Sequence, residues 1–356
     1  MTNRKIMRCV YMISLLFALT VIGAQAQENA PTLTLVQDAI TGFDCTVGAA
    51  LQPDGNAMWA MLVDCHREHY ALHSFSTLTG ERIGDPIPAF DDPNTDYFRL
   101  FSSNTLIAQP DGNLRLILDG NINDLPVSYT INPQTGESIM NLEDDAQLGA
   151  FVREFTPYME GLSFSADHRY LAAVDDDNTD VLDMESRSLL FTLPYATTSV
   201  GFDTSGRLYV VTSGDAATTG FVLNVYSLPD GTLIQSYLLP YGGIPYPNAD
   251  GRFVALETGG DETLLGVLDT TTGIFSNMIS QMMPPFTAGD CIVRDPVTDS
   301  ALDLSAGRLW MRDLVWLPDG ETFVTLSEYV GDGMTQGREN GCETTATRLR
   351  IYRVGE

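Results

Sequence analysis

The stretch "CHREHYALH", residues 65–73, places three of the chain's four histidines, His66, His69 and His73, beside Cys65. Neutral imidazole is a good ligand for zinc and copper. Farther on, "DDPNTD" supplies Asp91, Asp92 and Asp96, and "EDD" supplies Glu143, Asp144 and Asp145. Carboxylates suit calcium, and paired ones do acid–base work where their pKa values are pushed apart. His66, His69, Asp91 and Asp92 are therefore the candidate ligands, with calcium or zinc as the candidate ion. Two facts weigh against them. The histidine spacing fits no standard site, and acidic pairs arise by chance in a chain with 47 Asp and Glu. The plainer reading is solvated polar residues near a disulfide. There is no GxSxG elbow, no P-loop and no Rossmann glycine pattern, so no catalytic residue is assigned.

The acidic run "AVDDDNTDVLDMES", residues 173–186, also fails as a metal loop. An EF-hand loop needs Gly at its sixth position and Glu at its twelfth. Counted from Asp176, those positions hold Val181 and Arg187. Asp and Asn favour turns because their side chains hydrogen-bond the local backbone. The run reads as a turn that continues into a strand.

The elements around these residues repeat. "LQPDGN", "AQPDGN", "FDTSGR", "PNADGR" and "WLPDGE" carry Gly55, Gly112, Gly206, Gly251 and Gly320 between short apolar runs. "FSADHR" has His168 at the glycine position. A second turn follows 19 to 25 residues after each of the first five, at Gly80, Gly136, Arg187, Gly231 and Gly273. Each turn between Val-, Leu- and aromatic-rich runs is a β-hairpin signal, with glycine taking positive φ. Four antiparallel strands per repeat describe the blade of a β-propeller.

"LSFSADHRYLAAVDDDNTDVLDMESRSLLFTL" resembles a blade of the WD-repeat and YVTN-type β-propellers. The likeness covers about residues 49–354 in six units. It implies an all-β fold of four-stranded antiparallel blades and is almost silent on activity. No unit has the Trp-Asp pair; the third has Leu182-Asp183 there. Six blades are traced, with seven as the alternative. The last unit lacks a fourth strand, and "PTLTLVQ", residues 31–37, is expected to supply it and so remove the open edges. Residues 280–312 read as an insertion.

Strand alternation sorts the connections onto two faces. The glycine turns share one. The loops between second and third strands, and the links between blades, share the other. All the long segments fall there, including "PAFDDPNTDYF" and "NLEDDAQLGAFVREFTPYMEG". His73 falls within a third strand. The arginines of "RLRIYRV" are expected on an exposed outer strand, with pairing to an acidic neighbour as the alternative.

The N-terminus reads as a secretory signal over residues 1–26: Arg4, Lys5 and Arg8, an apolar run from Val10 to Gly23, then Ala24-Gln25-Ala26. The run is short of the ~20 residues of a spanning helix, and no other transmembrane candidate is seen. Residues 27–356 then form one propeller domain, secreted or periplasmic. Its 16 arginines stand against 47 acids, a net charge near −31, without a lysine. Such a charge disfavours nucleic acid. It also predicts a melting temperature that rises with salt, because screening weakens self-repulsion.

Cys45, Cys65, Cys291 and Cys342 remain, an even count that reads as two disulfides with three possible pairings. In the blade scheme Cys45 and Cys65 flank one hairpin, and Cys291 and Cys342 lie in loops flanking the last. Proximity selects Cys45–Cys65 and Cys291–Cys342.

The leading function is a binding scaffold for a protein or a small extracellular ligand, carried by the long loops. Lactonase-like hydrolases and quinoprotein-like oxidoreductases on such folds are the enzymatic alternative, though no catalytic motif carries over. A calcium- or sugar-binding surface module is the third reading.

Overall fold

The structure, a computed structural model, describes residues 30–42, 45–63, 69–91, 106–109, 111–118, 127–141, 147, 150–151, 154–155, 161–165, 167, 169–174, 178–194, 197–213, 220–257, 264–280, 308–330, 338–339, 342–343 and 345–355.

Strand β1 (Thr32–Gly42) comes first in the chain but belongs to the last blade. Blade 1 is β2 (Cys45–Leu51), β3 (Ala57–Val63), β4 (His69–Ser76) and β5 (Ile87–Asp91). Blade 2 is β6 (Leu106–Ala108), β7 (Leu114–Leu118), β8 (Val127–Ile131) and β9 (Ser138–Met140). Blade 3 is β10 (Gly161–Phe164), β11 (Tyr170–Val174), β12 (Thr179–Asp183) and β13 (Ser188–Leu193). Blade 4 is β14 (Thr197–Phe202), β15 (Leu208–Ser213), β16 (Phe221–Tyr226) and β17 (Leu233–Leu239). Blade 5 is β18 (Ile244–Pro247), β19 (Phe253–Glu257) and β20 (Leu264–Asp269), edged by two short pieces, β21 (Ile274–Phe275) and β22 (Ile279–Ser280), that both pair with β20. Blade 6 begins with β23 (Arg308–Trp316) and β24 (Thr322–Val330). A small hairpin follows, β25 (Arg338–Glu339) and β26 (Cys342–Glu343), and then β27 (Thr345–Gly355). The expected six-bladed propeller is the fold. Residues 308–312, expected within the insertion, form the start of β23 instead.

The expected closure is present. β1 lies antiparallel against β27, from Thr32 opposite Gly355 to Gly42 opposite Thr347, as the outer strand of blade 6. The two ends of the chain therefore cover each other's edges.

The middle strands are buried on both faces: in blade 3, "TDVLD" of β12 is buried throughout. Each blade packs on the next through one apolar cluster. Met61 and Leu72 meet Leu116 and Tyr129 between blades 1 and 2. Ile107 and Ile117 meet Phe164 and Leu171 between blades 2 and 3. Val181 meets Val200 and Leu208, then Tyr209 and Leu223 meet Val254 and Leu268. Phe253 and Leu265 meet Phe323 and Tyr352, and Val324 and Leu349 meet Met58 and Phe75, which completes the ring. Full burial of one such side chain stabilises by about 1.5–3 kcal/mol, so the interfaces dominate the stability.

The glycine turns behave as their residue types require. Gly55, Gly112, Gly206, Gly251 and Gly320 of the first turns have φ between 67° and 86°. Gly80, Gly136, Gly231 and Gly273 of the second turns lie between 66° and 77°. Arg187 stands at the equivalent place in blade 3 with φ 50°, the one non-glycine residue with positive φ among the described residues. His168 lies outside them.

One long connection departs from the expected sorting. Phe151 and Phe155, edge-to-face at 5.5 Å, pack on the seam between blades 2 and 3. Gln147 of the same segment accepts a hydrogen bond from Arg187 Nη2 (3.0 Å) in a second turn. Gln147, Phe151 and Phe155 therefore lie along this seam and beside a second turn, not on the face assigned to the link.

Candidate functional site

Two of the predicted metal ligands meet in the backbone. His69 opens β4 and is paired with Asp91, the last residue of β5. His66 and Asp92 lie outside the described residues, as do Cys65 and Cys291. Cys45 lies opposite Val63 in blade 1, and Cys342 is in β26. Among the described residues no three His, Cys, Asp or Glu side chains cluster as a metal site. His73 is within β4 as expected. It is buried, and its Nδ1 has no hydrogen-bond partner. Burial, reinforced by the charge of Arg82, pushes its pKa down to about 4.

The acidic run is structural where it is described. Asp183 Oδ1 accepts from the amides of Glu185 and Ser186 (2.9 and 3.0 Å), which shapes the second turn of blade 3. Asp180 Oδ1 accepts from the Thr192 hydroxyl at 2.6 Å.

Two of the three arginines of "RLRIYRV", Arg348 and Arg350, depart from the exposed outer-strand expectation, while Arg353 is exposed. β27 is covered by β1, so Arg348 and Arg350 are nearly buried, with side chains 11% and 5% exposed. Both reach Asp38 of β1. Arg348 donates through Nε and Nη2, the latter at 2.6 Å, and Arg350 Nε donates at 3.3 Å. Burial pushes the Asp38 carboxyl up, but these two guanidiniums outweigh it and hold the pKa below its ordinary value. The acidic neighbour is thus the N-terminal strand itself.

A second buried acid sits in the seam between blades 6 and 1. Asp313 Oδ2 accepts from the amide of Ala49, and its Oδ1 from the amide of Leu314, each at 2.8 Å. Burial pushes its pKa up to about 7 despite those donors. The residue stands at a bulge in β23, where the pairing with β24 shifts between Met311 and Asp313.

Below Asp313 the same seam opens on the glycine-turn face as a groove of about 340 Å³. Its inner end is the first turns of blades 6 and 1. Pro318 lies so close to Gly55 that a Cβ there would come within 2.8 Å of the proline Cγ. The apolar lining of the groove is Leu317, Pro318, Ile351, Leu78 and Val36. Val36 is the extra residue of a bulge in β1, between Leu35 opposite Tyr352 and Gln37 opposite Ile351. A bulge re-aims the local side chain, and Val36 is left 50% exposed.

The rim is polar. Asp54 accepts from the amide and side chain of Asn56 (3.1 and 3.3 Å). Thr77 donates to the carbonyl of Gly55 (2.8 Å). Asp319 accepts from the Glu321 amide and from the amide and hydroxyl of Thr322. Burial raises the Asp319 pKa, but the Thr322 and Glu321 hydrogen bonds and the charge of Arg353 overcome this and leave it lowered. Arg353, on β27, completes the rim.

Sequence reasoning did not find this groove, because it is built from three turns and the strands β1 and β27, which are distant in the chain. One signal was available. At the second position of the second turn, Leu78 stands where the other blades have Gln134, Glu185, Pro229 and Thr271.

No family model matches the chain, and no curated protein is similar to it.

Proposed function

We propose that the protein is an exported β-propeller, a divergent relative of the WD-repeat and YVTN-type propellers, that acts as a binding scaffold. The observation that carries this reading is the closed ring. Six blades with an apolar cluster at every seam form a rigid platform. The sequence leaves long links between strands, such as residues 92–105 and 281–307, which this reading assigns to one face. Rigid scaffolds with long loops on one face are where binding residues concentrate. The order of the turns supports the kinship, and the arginine-only, acidic composition fits a protein working away from nucleic acid.

The test is site-specific photo-crosslinking in the native source, with the probe at Asp96 or Gln336, in links this reading assigns to the loop face, and at Asp111 or Asp230 on the turn face. The reading expects discrete adducts from the loop-face positions alone. Equal adducts from both faces, or none from the loop face, would refute it. N-terminal sequencing of the exported protein should begin at Gln27.

The pairing of His69 with Asp91 favours a secondary calcium or zinc site at His66, His69, Asp91 and Asp92. A ligand that binds only the folded state raises its stability by RT ln(1 + [L]/Kd). A saturable, chelator-reversed rise in melting temperature with either ion, lost in His69→Ala, is expected. A flat melt removes the site.

A further inference from the structure

We propose that the groove between blades 6 and 1, on the turn face, is a second binding site, and that it takes a zwitterion with an apolar side chain: an α-amino acid or the end of a short peptide. This site is on the face opposite the long loops and stands independently of the scaffold reading.

Size and lining set the class. A cavity of about 340 Å³ lies at the small end of the ~300–1,000 Å³ typical of small-molecule sites, which pair an apolar floor with a few polar groups. The apolar lining here is aliphatic: Val36, Leu78, Leu317, Pro318 and Ile351. Leu78 is 80% exposed, the most exposed of the large hydrophobic residues among those described. Water-exposed leucine at a turn where other blades place mostly polar residues has no packing role to explain it. An apolar ligand would cover it together with the bulged Val36.

The charges decide between an anion, a cation and a zwitterion. The Arg353 guanidinium makes no hydrogen bond or salt bridge among the described residues and interacts with Asp319 through its charge, whereas Arg348, Arg350, Arg169 and Arg207 are paired directly with carboxylates. A planar guanidinium left open beside an apolar groove matches a carboxylate in bidentate geometry. A lone carboxylate, however, must approach a chain of net charge −28, whose field repels it. It would also meet Asp54 and Asp319, which line the same groove. A lone cation would satisfy the aspartates and leave Arg353 beside a like charge. A zwitterion is neutral overall. It sets its carboxylate on Arg353 and its ammonium toward Asp54, with the apolar side chain on the aliphatic lining.

Isothermal titration calorimetry on the purified protein tests this with four probes: L-leucine, trileucine with free termini, 4-methylpentanoate and isoamylamine. The last two keep the apolar group and one charge each. Saturable one-site binding by L-leucine or trileucine is expected, with both single-charge analogues at least tenfold weaker. Binding of L-leucine identifies a free amino acid as the ligand, and binding of trileucine alone a peptide end. Arg353→Gln and Leu78→Ser alter exposed side chains, so the fold should stand; each should weaken binding at least tenfold while leaving the melting temperature unchanged. No saturable heat from any probe, a preference for either single-charge analogue, or affinities unchanged in both variants would overturn the proposal.

Discussion

Asn277 holds the main chain of Leu33 as a strand would. Its Oδ1 accepts from the Leu33 amide at 2.7 Å, and its Nδ2 donates to the Leu33 carbonyl at 3.1 Å. Asn277 sits in the gap between β21 and β22, so the break in the outer strand of blade 5 turns one side-chain amide onto the strand that closes blade 6. Leu33 itself is buried in the seam. A lost hydrogen bond that leaves a buried group unpaired costs about 1–3 kcal/mol. Asn277→Ala should therefore lower unfolding stability by about that much in urea titration, with an unchanged denaturant slope. A loss within error would show that water replaces the amide at no cost.

The strand that Asn277 grips should matter far more than the grip. Removing residues 27–40 takes away most of β1, leaving β27 as an open edge, and uncovers Tyr352 and Val354. A sharp drop in melting temperature, together with concentration-dependent aggregation, is expected from differential scanning fluorimetry and light scattering. An unchanged melt would mean that the ring does not depend on this closure.

The fold was legible because blades repeat. Turn types and spacings recur in one chain, and each instance corroborates the rest. That is why the missing fourth strand at residue 355 could be matched with "PTLTLVQ" across the whole length of the sequence. Pairwise geometry was less legible. Nothing local in "RLRIYRV" says that Asp38 lies beside it; that follows only once β1 and β27 are in register. Asp313 looks like any acid among 47, and its burial depends on a bulge that pairing with β24 reveals. The groove of Val36, Leu78 and Arg353 needs two blades and three turns at once, so a reading along the chain leaves only Leu78 as a trace.

Arg187 offers a stabilising change. Its φ of 50° is in the region that costs an L-residue roughly 1–2 kcal/mol, and the other blades use glycine there. Glycine returns part of this as greater freedom in the unfolded chain. The bond to Gln147 is exposed and worth little. Arg187→Gly should raise stability by about 0.5–1 kcal/mol in chemical denaturation. A loss instead would assign the Gln147 contact a larger share in holding the link between blades 2 and 3.

Asp38 is the only carboxylate among the described residues that pairs with both Arg348 and Arg350. Removing one partner of a buried ion pair costs up to about 3–5 kcal/mol. Asp38→Asn should fall in that range. Because the pair is largely shielded, molar salt should restore little of it. A variant whose stability recovers fully with salt would place the pair in solvent.

Asp313 predicts a pH dependence of unusual sign for an aspartate. Its folded pKa is raised to about 7 from the ordinary 3.8, so the folded state keeps a proton that the unfolded chain releases. The stabilisation is complete below pH 3.8 and is lost as pH rises through about 7. At 1.36 kcal/mol per pKa unit, the span amounts to about 4 kcal/mol as an upper bound. Groups with a lowered pKa act the opposite way, Asp319 among them. Asp38, with its lowered pKa, loses its contribution as pH falls through the acid range. His73, depressed to about 4 from 6.5, loses its own as pH falls from 6.5 toward 4. The raw profile mixes all of these groups, so the readout is the difference between the wild type and Asp313→Asn. Asparagine still offers an oxygen to the Ala49 amide but carries no titrating proton. The variant's stability relative to wild type should therefore rise steadily between pH 4 and 7 and level off above. A difference that stays flat across that window would mean that the amides of Ala49 and Leu314 hold Asp313 ionised inside the seam.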